Sequence, residues 1–249
     1  MALRSNALTV GQMVSFDQYV SSTPGSLPHT KGKETTAMQY TGVTLYVDHC
    51  SKFVFIYNQV SLGAGVTLVA KQAFESVLKS FGFSVSNYHG DKGVFNSQAF
   101  KNDCKSKQQQ LTFSGSGANH QNGVAECSIQ MIVGWVRTLL LHAAIHWPTV
   151  DDLKPWPIAI QHAIYLWNIL PDQHTKLSPL ELISGSHVPN YTHLWCLHVW
   201  GCPNFVLDPR LQDGKKLLKW SPRSCLVCFV GYSSSHSSTV SLICTKEVE

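Results

Sequence analysis

The sequence is poor in charge, and this scarcity limits the chemistry that it supports. Only 14% of its 249 residues are Asp, Glu, Lys or Arg, against about 25% in an average soluble domain. The first 130 residues contain seven acidic side chains, namely Asp17, Glu34, Asp48, Glu75, Asp91, Asp103 and Glu126. Any chemistry that needs carboxylates in this half of the chain must draw on that short list.

Long hydrophobic runs are also missing from the sequence. The longest, at 139–145, is interrupted by His142, whereas a membrane-spanning helix needs about 20 apolar residues. Residues 1–20 lack the apolar core of a signal peptide. These features predict a chain that contacts no membrane, is not secreted and resides in the nucleus or cytoplasm. The hydrophobic content of 44% excludes a mainly disordered chain.

Basic residues outnumber acidic ones only slightly, at 19 Lys and Arg against 15 Asp and Glu. The net charge of +4 permits a polyanionic partner without demanding one. The eight cysteines are scattered along the chain, which without a secretion signal favours reduced, mostly buried thiols over disulfides. Cys225 and Cys228 have the spacing of zinc ligands, but a zinc site needs a second pair, and none has suitable spacing.

Hydrophobic periodicity predicts an α/β fold with the element order β-β-β-α-β-α-β, followed by two long helices. Alternating or β-rich runs predict strands at 13–20, 43–48, 53–57, 83–88 and 111–113. Helical spacing predicts helices at 66–81, 97–105, 122–143 and 156–170. The segment 21–36 is rich in Ser, Pro, Gly and Lys and is predicted to be a loop or a wide hairpin.

The pattern changes near residue 188, where short β-like pieces at 204–207 and 225–230 replace the long helices. A polar, basic stretch at 208–223 separates these two pieces. We therefore predict a large α/β domain at 1–187 and a small β domain at 188–249.

Three of the seven acids fall where this topology can bring them together. Asp17 lies on the first strand, Asp91 follows a later strand, and Glu126 lies in the first turn of the long helix, where the helix dipole favours its ionised form. Such hard oxygen donors suit Mg²⁺, and a pair of ions about 3.5–4 Å apart can stabilise both oxygens of a phosphoryl transfer. The simpler alternative is a separate local role for each acid in a strand, a turn or a helix start.

Six sequence blocks occur in the order found in one known family. They are Tyr46-Val-Asp-His-Cys-Ser-Lys52, His89-Gly-Asp-Lys-Gly-Val-Phe95, His120-Gln-Asn-Gly-Val-Ala-Glu126, Ala163-Ile-Tyr-Leu-Trp-Asn-Ile-Leu-Pro171, Ser178-Pro-Leu-Glu181 and a C-terminal set formed by Trp200-Gly-Cys202, Lys219-Trp-Ser-Pro-Arg223 and Phe229-Val-Gly-Tyr-Ser233. Together they resemble the integrase of Copia-type LTR retrotransposons, whose core is RNase H-like. The C-terminal set resembles the small SH3-like β domain that follows this core in such polyproteins.

This resemblance implies a fold and a catalytic triad. The fold is an RNase H-like mixed sheet flanked by helices, followed by an SH3-like β region at 188–249. The catalytic and metal-binding residues are Asp17, Asp91 and Glu126, with Mg²⁺ or Mn²⁺ as the cofactor. Asp48 is the alternative first acid, because the motif around it is sharper than the one around Asp17. The chain departs from the family at Lys92, where Asn is usual, and at Cys127, where Arg is usual.

The same resemblance, together with the charge pattern, suggests DNA contacts. Gln121 and Asn122 match the polar pair beside the catalytic Glu, although Asn122 is equally well explained as a helix N-cap. Gln130 and Arg137 follow Glu126 along one line of the helix. Further phosphate contacts are predicted for the basic residues of the polar stretch, for which a solvated loop is the alternative: Lys215, Lys216, Lys219 and Arg223.

Three functions follow from these expectations. The leading one is an integrase core, acting as a homo-oligomer on retroelement ends and target DNA, which processes DNA ends and transfers strands with a metal cofactor. The first alternative is a nucleic-acid-binding remnant that has lost the chemistry. The second is an RNase H-like nuclease, which shares the acids but cleaves without joining.

Overall fold

The computed structural model describes residues 8–26, 39–115, 119–147, 155–187, 189–212, 214, 216–232 and 239–243. Its strands are β1 (Val14–Gly25), β2 (Tyr40–Asp48), β3 (Val54–Gln59), β4 (Asn87–Gly90), β5 (Gln110–Phe113), β6 (Pro203–Leu207), β7 (Ser224–Tyr232) and β8 (Thr239–Ile243). Its helices are α1 (Ala64–Ser80), α2 (Gln98–Ser106), α3 (Gly123–His146), α4 (Trp156–Ile169), α5 (Pro179–Ser184) and α6 (Pro209–Gln212).

The first five strands form one mixed sheet in the order β3-β2-β1-β4-β5. β1, β2 and β3 pair antiparallel, whereas β4 and β5 run parallel to β1. This arrangement confirms the predicted α/β class, the order of elements and the β2–β3 hairpin. The parallel pairing matters for function because it places the end of β4, at Gly90, beside Phe16 of β1, the residue before Asp17.

The two faces of the sheet have separate apolar cores, since side chains alternate along a strand. Phe16 and Tyr46 point to the face covered by α1 and α2, where Tyr46 stacks on Phe74 at a ring-centroid distance of 4.8 Å. Leu45 and its alternate neighbours point to the other face, which α3 and α4 cover. Because Asp17 pairs with Leu45, it lies on the α3 side of the sheet.

Element boundaries differ from the prediction at two strands. β1 runs on to Gly25, into the segment predicted as a loop, and residues 27–38 of that segment lie outside the described part of the chain. β4 begins only at Asn87, where its pairing with Gln110 of β5 starts. Of the residues before it, Phe83 closes the end of α1, because its amide donates to the Leu78 carbonyl.

α3 is the longest helix among the described residues, and it is more apolar than the sequence analysis predicts. By length and composition alone it is long enough to cross a membrane, and it is the one such helix among the described residues. Here it packs on the sheet and on α4, with Ala125, Ile132, Val136 and Ala143 buried. The expectation that no apolar stretch reaches spanning length was therefore too strict.

The described cysteines are all free thiols. The expectation that they are mostly buried is wrong, because only Cys104 and Cys228 are buried, whereas Cys127 and Cys196 are exposed. Cys244 lies outside the described residues.

The C-terminal strands form a separate antiparallel sheet in the order β6-β7-β8, which confirms the β character predicted for this part. The sheet packs on the helices through β7 and the residues before β6. The buried Trp200 donates its indole N–H to the Val230 carbonyl (3.1 Å). Gly201 lies so close to Ala143 of α3 that an added Cβ would come within 2.6 Å of the alanine side chain.

A buried lysine ties α1 to α2 and to the start of β5. Lys71, with 0% of its side chain exposed, donates to Glu75 (2.7 Å), Asp103 (2.5 Å) and Gln109 (2.7 Å), while Lys107 bonds the same two carboxylates from the surface. Burial alone would raise the pKa of both carboxyl groups. The hydrogen bonds from the two lysines outweigh burial and lower both pKa values.

This network should make the protein sensitive to acid. The pKa values of Glu75 and Asp103 are lower in the folded state than their ordinary values of about 4.3 and 3.9. Their stabilising effect is therefore present above about pH 4.3 and is lost as the pH falls through the folded pKa values. We expect urea unfolding to show a smaller loss of stability between about pH 5 and 3 in the Glu75→Gln/Asp103→Asn double variant than in the wild type. An equal loss in both proteins would contradict this role.

Candidate functional site

The parallel pairing of β1 and β4 brings the first two predicted acids together. Phe16 pairs with Gly90, so Asp17 and Asp91 each follow a paired residue at the same edge of the sheet. The close approach depends on the glycine, because a Cβ at Gly90 would lie 2.3 Å from the Phe16 ring. Both acids are half-buried.

The start of α3 supplies the third acid. Glu126 is half-buried in the first turn of this helix, as the sequence predicts. Asn122, immediately before the helix, is fully buried, and its side-chain amide donates to the Phe16 carbonyl at 3.1 Å. Asn122 stands at the N-cap position but makes no capping hydrogen bond. Its side chain instead fastens the helix start to β1, one residue before Asp17.

The pKa of Asp17 responds to burial and to the charges of the other two acids. Burial, followed by the charges of Asp91 and Glu126, raises the pKa of Asp17 to about 6, although the Gln18 amide, which donates to its carboxylate at 2.7 Å, acts in the opposite direction. Like charges that are held close together raise a carboxyl pKa in this way. A divalent cation between the three groups would reverse the effect.

These residues fit Mg²⁺ or Mn²⁺ by chemistry. They offer hard carboxylate oxygens. Burial and the neighbouring negative charges destabilise the ionised form of Asp17, and a bound cation would offset this effect. Within the described ranges, the side chains do not converge into a group of three His, Cys, Asp or Glu residues close enough to share an ion. Mutual repulsion of three carboxylates favours such a spread arrangement.

Asp48, the alternative first acid, lies elsewhere. It pairs with Val14 and therefore points to the α1 face of the sheet, opposite to Asp17. Its side chain is fully buried and accepts hydrogen bonds from the Gly11 amide (2.8 Å), the Ser51 amide (2.7 Å) and the Ser51 hydroxyl (2.7 Å). This carboxylate therefore holds the turn between β2 and β3 together.

His89, which opens the sequence block that contains Asp91, has definite partners. Its ring nitrogens lie 2.9 Å from the Thr112 hydroxyl and 3.2 Å from the Gln121 carbonyl. His89 thus connects β4 and β5 to the turn that precedes α3. The signal was present in the sequence, because His89 lies two residues before Asp91 and residues at this spacing point to the same face of a strand.

Gln121, predicted to contact DNA, is exposed, and its side-chain oxygen accepts from the Gly115 amide at 2.9 Å. This bond joins the residue before α3 to the loop after β5. Residues 116–118 of that glycine-rich loop lie outside the described part of the chain. Gln121 therefore stands beside the acids with one of its polar atoms already engaged.

The other predicted DNA contacts divide into two groups. Gln130 and Arg137 are exposed on α3, and Arg137 lines a cavity of about 380 Å³ between α3, β1 and α4. Lys216, Lys219 and Arg223 are exposed before β7, with the Lys219 ammonium 5.5 Å from the centre of the Trp220 ring. Lys215 lies outside the described residues.

Removing the Asn122 amide should loosen the site. In Asn122→Ala the buried Phe16 carbonyl loses its donor, which we expect to lower the free energy of unfolding by about 1–3 kcal/mol in urea titrations. The matched control is Asn102→Ala, because Asn102 lies exposed on α2 and its loss should change stability by less than about 0.5 kcal/mol. Equal effects of the two substitutions would rule out the fastening role of Asn122.

Comparison with known proteins gives matches to solved structures only. No family model matches the chain, and no curated protein matches it. The catalytic core domain of HTLV-2 integrase in complex with magnesium aligns with 17% identity and a TM-score of 0.47, covering 69% of this chain and 95% of that one. The catalytic core domain of BIV integrase aligns with 13% identity and a TM-score of 0.49, covering 70% and 93%.

A third match extends over most of the chain. It is to the simian T-cell lymphotropic virus intasome in complex with PP2A regulatory subunit B56 gamma, with 13% identity, a TM-score of 0.52 and coverage of 93% of this chain and 76% of that one. Together with the strand order β3-β2-β1-β4-β5, this likeness identifies an RNase H-like α/β fold. At this identity the comparison establishes the fold alone.

Proposed function

We propose that the chain is a Copia-type integrase core that binds DNA, processes DNA ends and transfers strands with the help of Mg²⁺ or Mn²⁺. The observation that supports this most is the placement of the three acids around Phe16: Asp17 follows it, Asp91 follows its pairing partner Gly90, and Glu126 lies in the first turn of the helix that Asn122 fastens to its carbonyl. After burial, the charges of Asp91 and Glu126 also raise the pKa of Asp17. Asp17 is the first acid in this proposal, because Asp48 is buried on the opposite face.

In this mechanism the carboxylates of Asp17, Asp91 and Glu126 hold the metal ions. Bound there, the ions would supply Lewis-acid activation of an attacking oxygen, of water or of a DNA 3′-hydroxyl, and stabilisation of the leaving oxygen. Asn122 keeps the start of α3 against β1, and thereby keeps Glu126 near Asp17. His89 keeps the turn before α3 against β4.

DNA binding in this proposal is mainly electrostatic. Gln121, Gln130 and Arg137 are exposed on or just before the helix that carries Glu126. Asn122, also predicted to contact DNA, is fully buried and is not available for such a contact. Lys215, Lys216, Lys219 and Arg223 add phosphate contacts that do not depend on sequence. A net charge of only +4 predicts weak affinity that falls steeply with salt.

We further propose that the chain has two domains, at 1–187 and 188–249, and that the second is SH3-like. In this proposal the protein forms a homo-oligomer and is located in the nucleus or the cytoplasm. The three-stranded sheet β6-β7-β8 supports the β character of the second domain. The simian viral match is to an intasome. We propose that this chain likewise acts on DNA, as a homo-oligomer.

A strand-transfer assay tests the proposed function. DNA duplexes with varied ends are incubated with a supercoiled target plasmid, Mg²⁺ or Mn²⁺ and either the wild type, Asp91→Asn or the control Asp172→Asn. Asp172 is exposed in the turn after α4. We expect joined products with the wild type and the control and none with Asp91→Asn. Equal activity with Asp91→Asn, or no activity with any protein, contradicts catalysis, and cleavage without joining indicates a nuclease.

A further inference from the structure

The C-terminal half of α3 carries two neighbouring histidines, apart from the three carboxylates. His142 and His146 are four residues apart, so they lie on the same face of the helix. Their ring centroids are 4.3 Å apart and both side chains are exposed. Neither imidazole has a hydrogen-bond partner among the residues that the structure describes. Two unengaged imidazoles at this spacing form a potential chelate.

We infer that His142 and His146 together bind one transition-metal ion of the Zn²⁺ or Ni²⁺ type. Zinc binds imidazole nitrogen at about 2.0–2.1 Å, so two nitrogens of a tetrahedral site lie about 3.3 Å apart. Rings with centroids 4.3 Å apart reach this separation by small rotations of exposed side chains. The remaining coordination positions belong to water.

The surroundings of the two histidines favour a cation. His146 is the last residue of α3, where the carbonyl groups at the helix end carry partial negative charge. The Trp147 ring packs against both imidazoles, with centroid distances of 5.7 Å to His142 and 5.9 Å to His146. This packing restricts the two side chains on one side and lowers the entropy that metal binding must overcome.

The two proposed metal sites differ in ligand chemistry and in position. Imidazole nitrogen selects zinc, nickel or copper, whereas carboxylate oxygen selects magnesium or manganese. Glu126 precedes His142 by 16 residues on the same helix, which corresponds to about 24 Å along its axis. The histidine site therefore does not depend on the proposed integrase function.

Isothermal titration of the full, tag-free chain with NiCl₂ tests this inference. We expect saturable binding of one ion by the chelate, weakened about a hundredfold by His142→Ala or by His146→Ala, because each substitution leaves a single imidazole. The matched control is His174→Ala, because His174 is exposed in the turn after α4, and its affinity should equal that of the wild type. Circular dichroism verifies that α3 is intact in each variant.

Two results would overturn the inference. One is the absence of saturable Ni²⁺ binding to the wild type, and the other is unchanged affinity in the His142→Ala/His146→Ala double variant. Excess Mg²⁺ should not displace the Ni²⁺, and displacement would show that the two ions share a site. Asp91→Asn should bind Ni²⁺ like the wild type, whether or not the strand-transfer assay detects activity.

Discussion

Replacing Asp17 by asparagine should abolish strand transfer and at the same time stabilise the protein at about pH 8. The loss of activity follows from removing a charged ligand of the proposed ions, and we expect at least about a hundredfold, equivalent to about 2.7 kcal/mol of transition-state stabilisation. The gain in stability follows from the pKa of Asp17, which burial and the charges of Asp91 and Glu126 raise to about 6.

The sign of the stability effect depends on pH. Because the folded pKa of Asp17 lies above the unfolded value of about 3.9, the ionised carboxylate destabilises the fold above about pH 6, and this penalty disappears below about pH 4. Melting temperatures measured in EDTA should therefore be higher for Asp17→Asn than for the wild type at about pH 8 and similar at about pH 4.

Asp172→Asn is the control, because the pKa of Asp172 is lowered in the fold whereas that of Asp17 is raised. Hydrogen bonds from the amides of Thr175 and His174 lower the pKa of Asp172, so its charge stabilises the fold above the unfolded pKa. Removing that charge should therefore not raise the melting temperature at about pH 8. A lower melting temperature for Asp17→Asn than for the wild type at that pH would contradict the destabilising effect of the ionised Asp17 carboxylate.

Replacing Asp48 by alanine should destabilise the fold and leave the activity per folded molecule unchanged. Asp48→Ala removes a fully buried carboxylate and leaves the Gly11 amide, the Ser51 amide and the Ser51 hydroxyl without their acceptor. Breaking a buried, charged hydrogen-bonding group in this way should cost about 3–5 kcal/mol of unfolding free energy, measured by urea denaturation. Activity per folded molecule should be unchanged, because the carboxylate faces away from Asp17.

The pair of variants decides which aspartate is the first acid. If Asp48→Ala were as stable as the wild type but inactive, Asp48 would be the catalytic residue and the assignment of Asp17 would be wrong. Asp17→Asn provides the comparison within the same sheet, because β1 and β2 are directly paired. Asp17→Asn is thus expected to lose activity and to gain stability at about pH 8, whereas Asp48→Ala is expected to lose stability and to keep its activity per folded molecule.

The sequence predicted the order of elements because its periodicity is strong. Alternation in β1 and helical spacing in α3 are local patterns, and the structure retains both. The predicted beginning of β4 was wrong because its first residue, Asn87, is set by pairing with Gln110 of β5, which lies 23 residues later in the chain. Apolar residues before Asn87 look like a strand but serve to close the end of α1.

The candidate site was only partly predictable for the same reason. The positions of Asp17, Asp91 and Glu126 on their elements follow from local pattern and motif. The role of Asn122 does not, because its partner is the Phe16 carbonyl, 106 residues away. Asp48 has the sharper motif, but which face of the sheet it occupies is decided by the register of β1 against β2, and no local pattern specifies that register.

Metal binding by the three carboxylates is tested most directly by a crystal of the protein soaked in MnCl₂, with the ions located by anomalous scattering. We expect a Mn²⁺ peak within about 2.2 Å of carboxylate oxygens of both Asp17 and Asp91, with Glu126 beside it. The peak should be absent from Asp91→Asn crystals treated in the same way. A wild-type map with no peak at these carboxylates, or with manganese bound at Asp48 instead, would contradict the central claim.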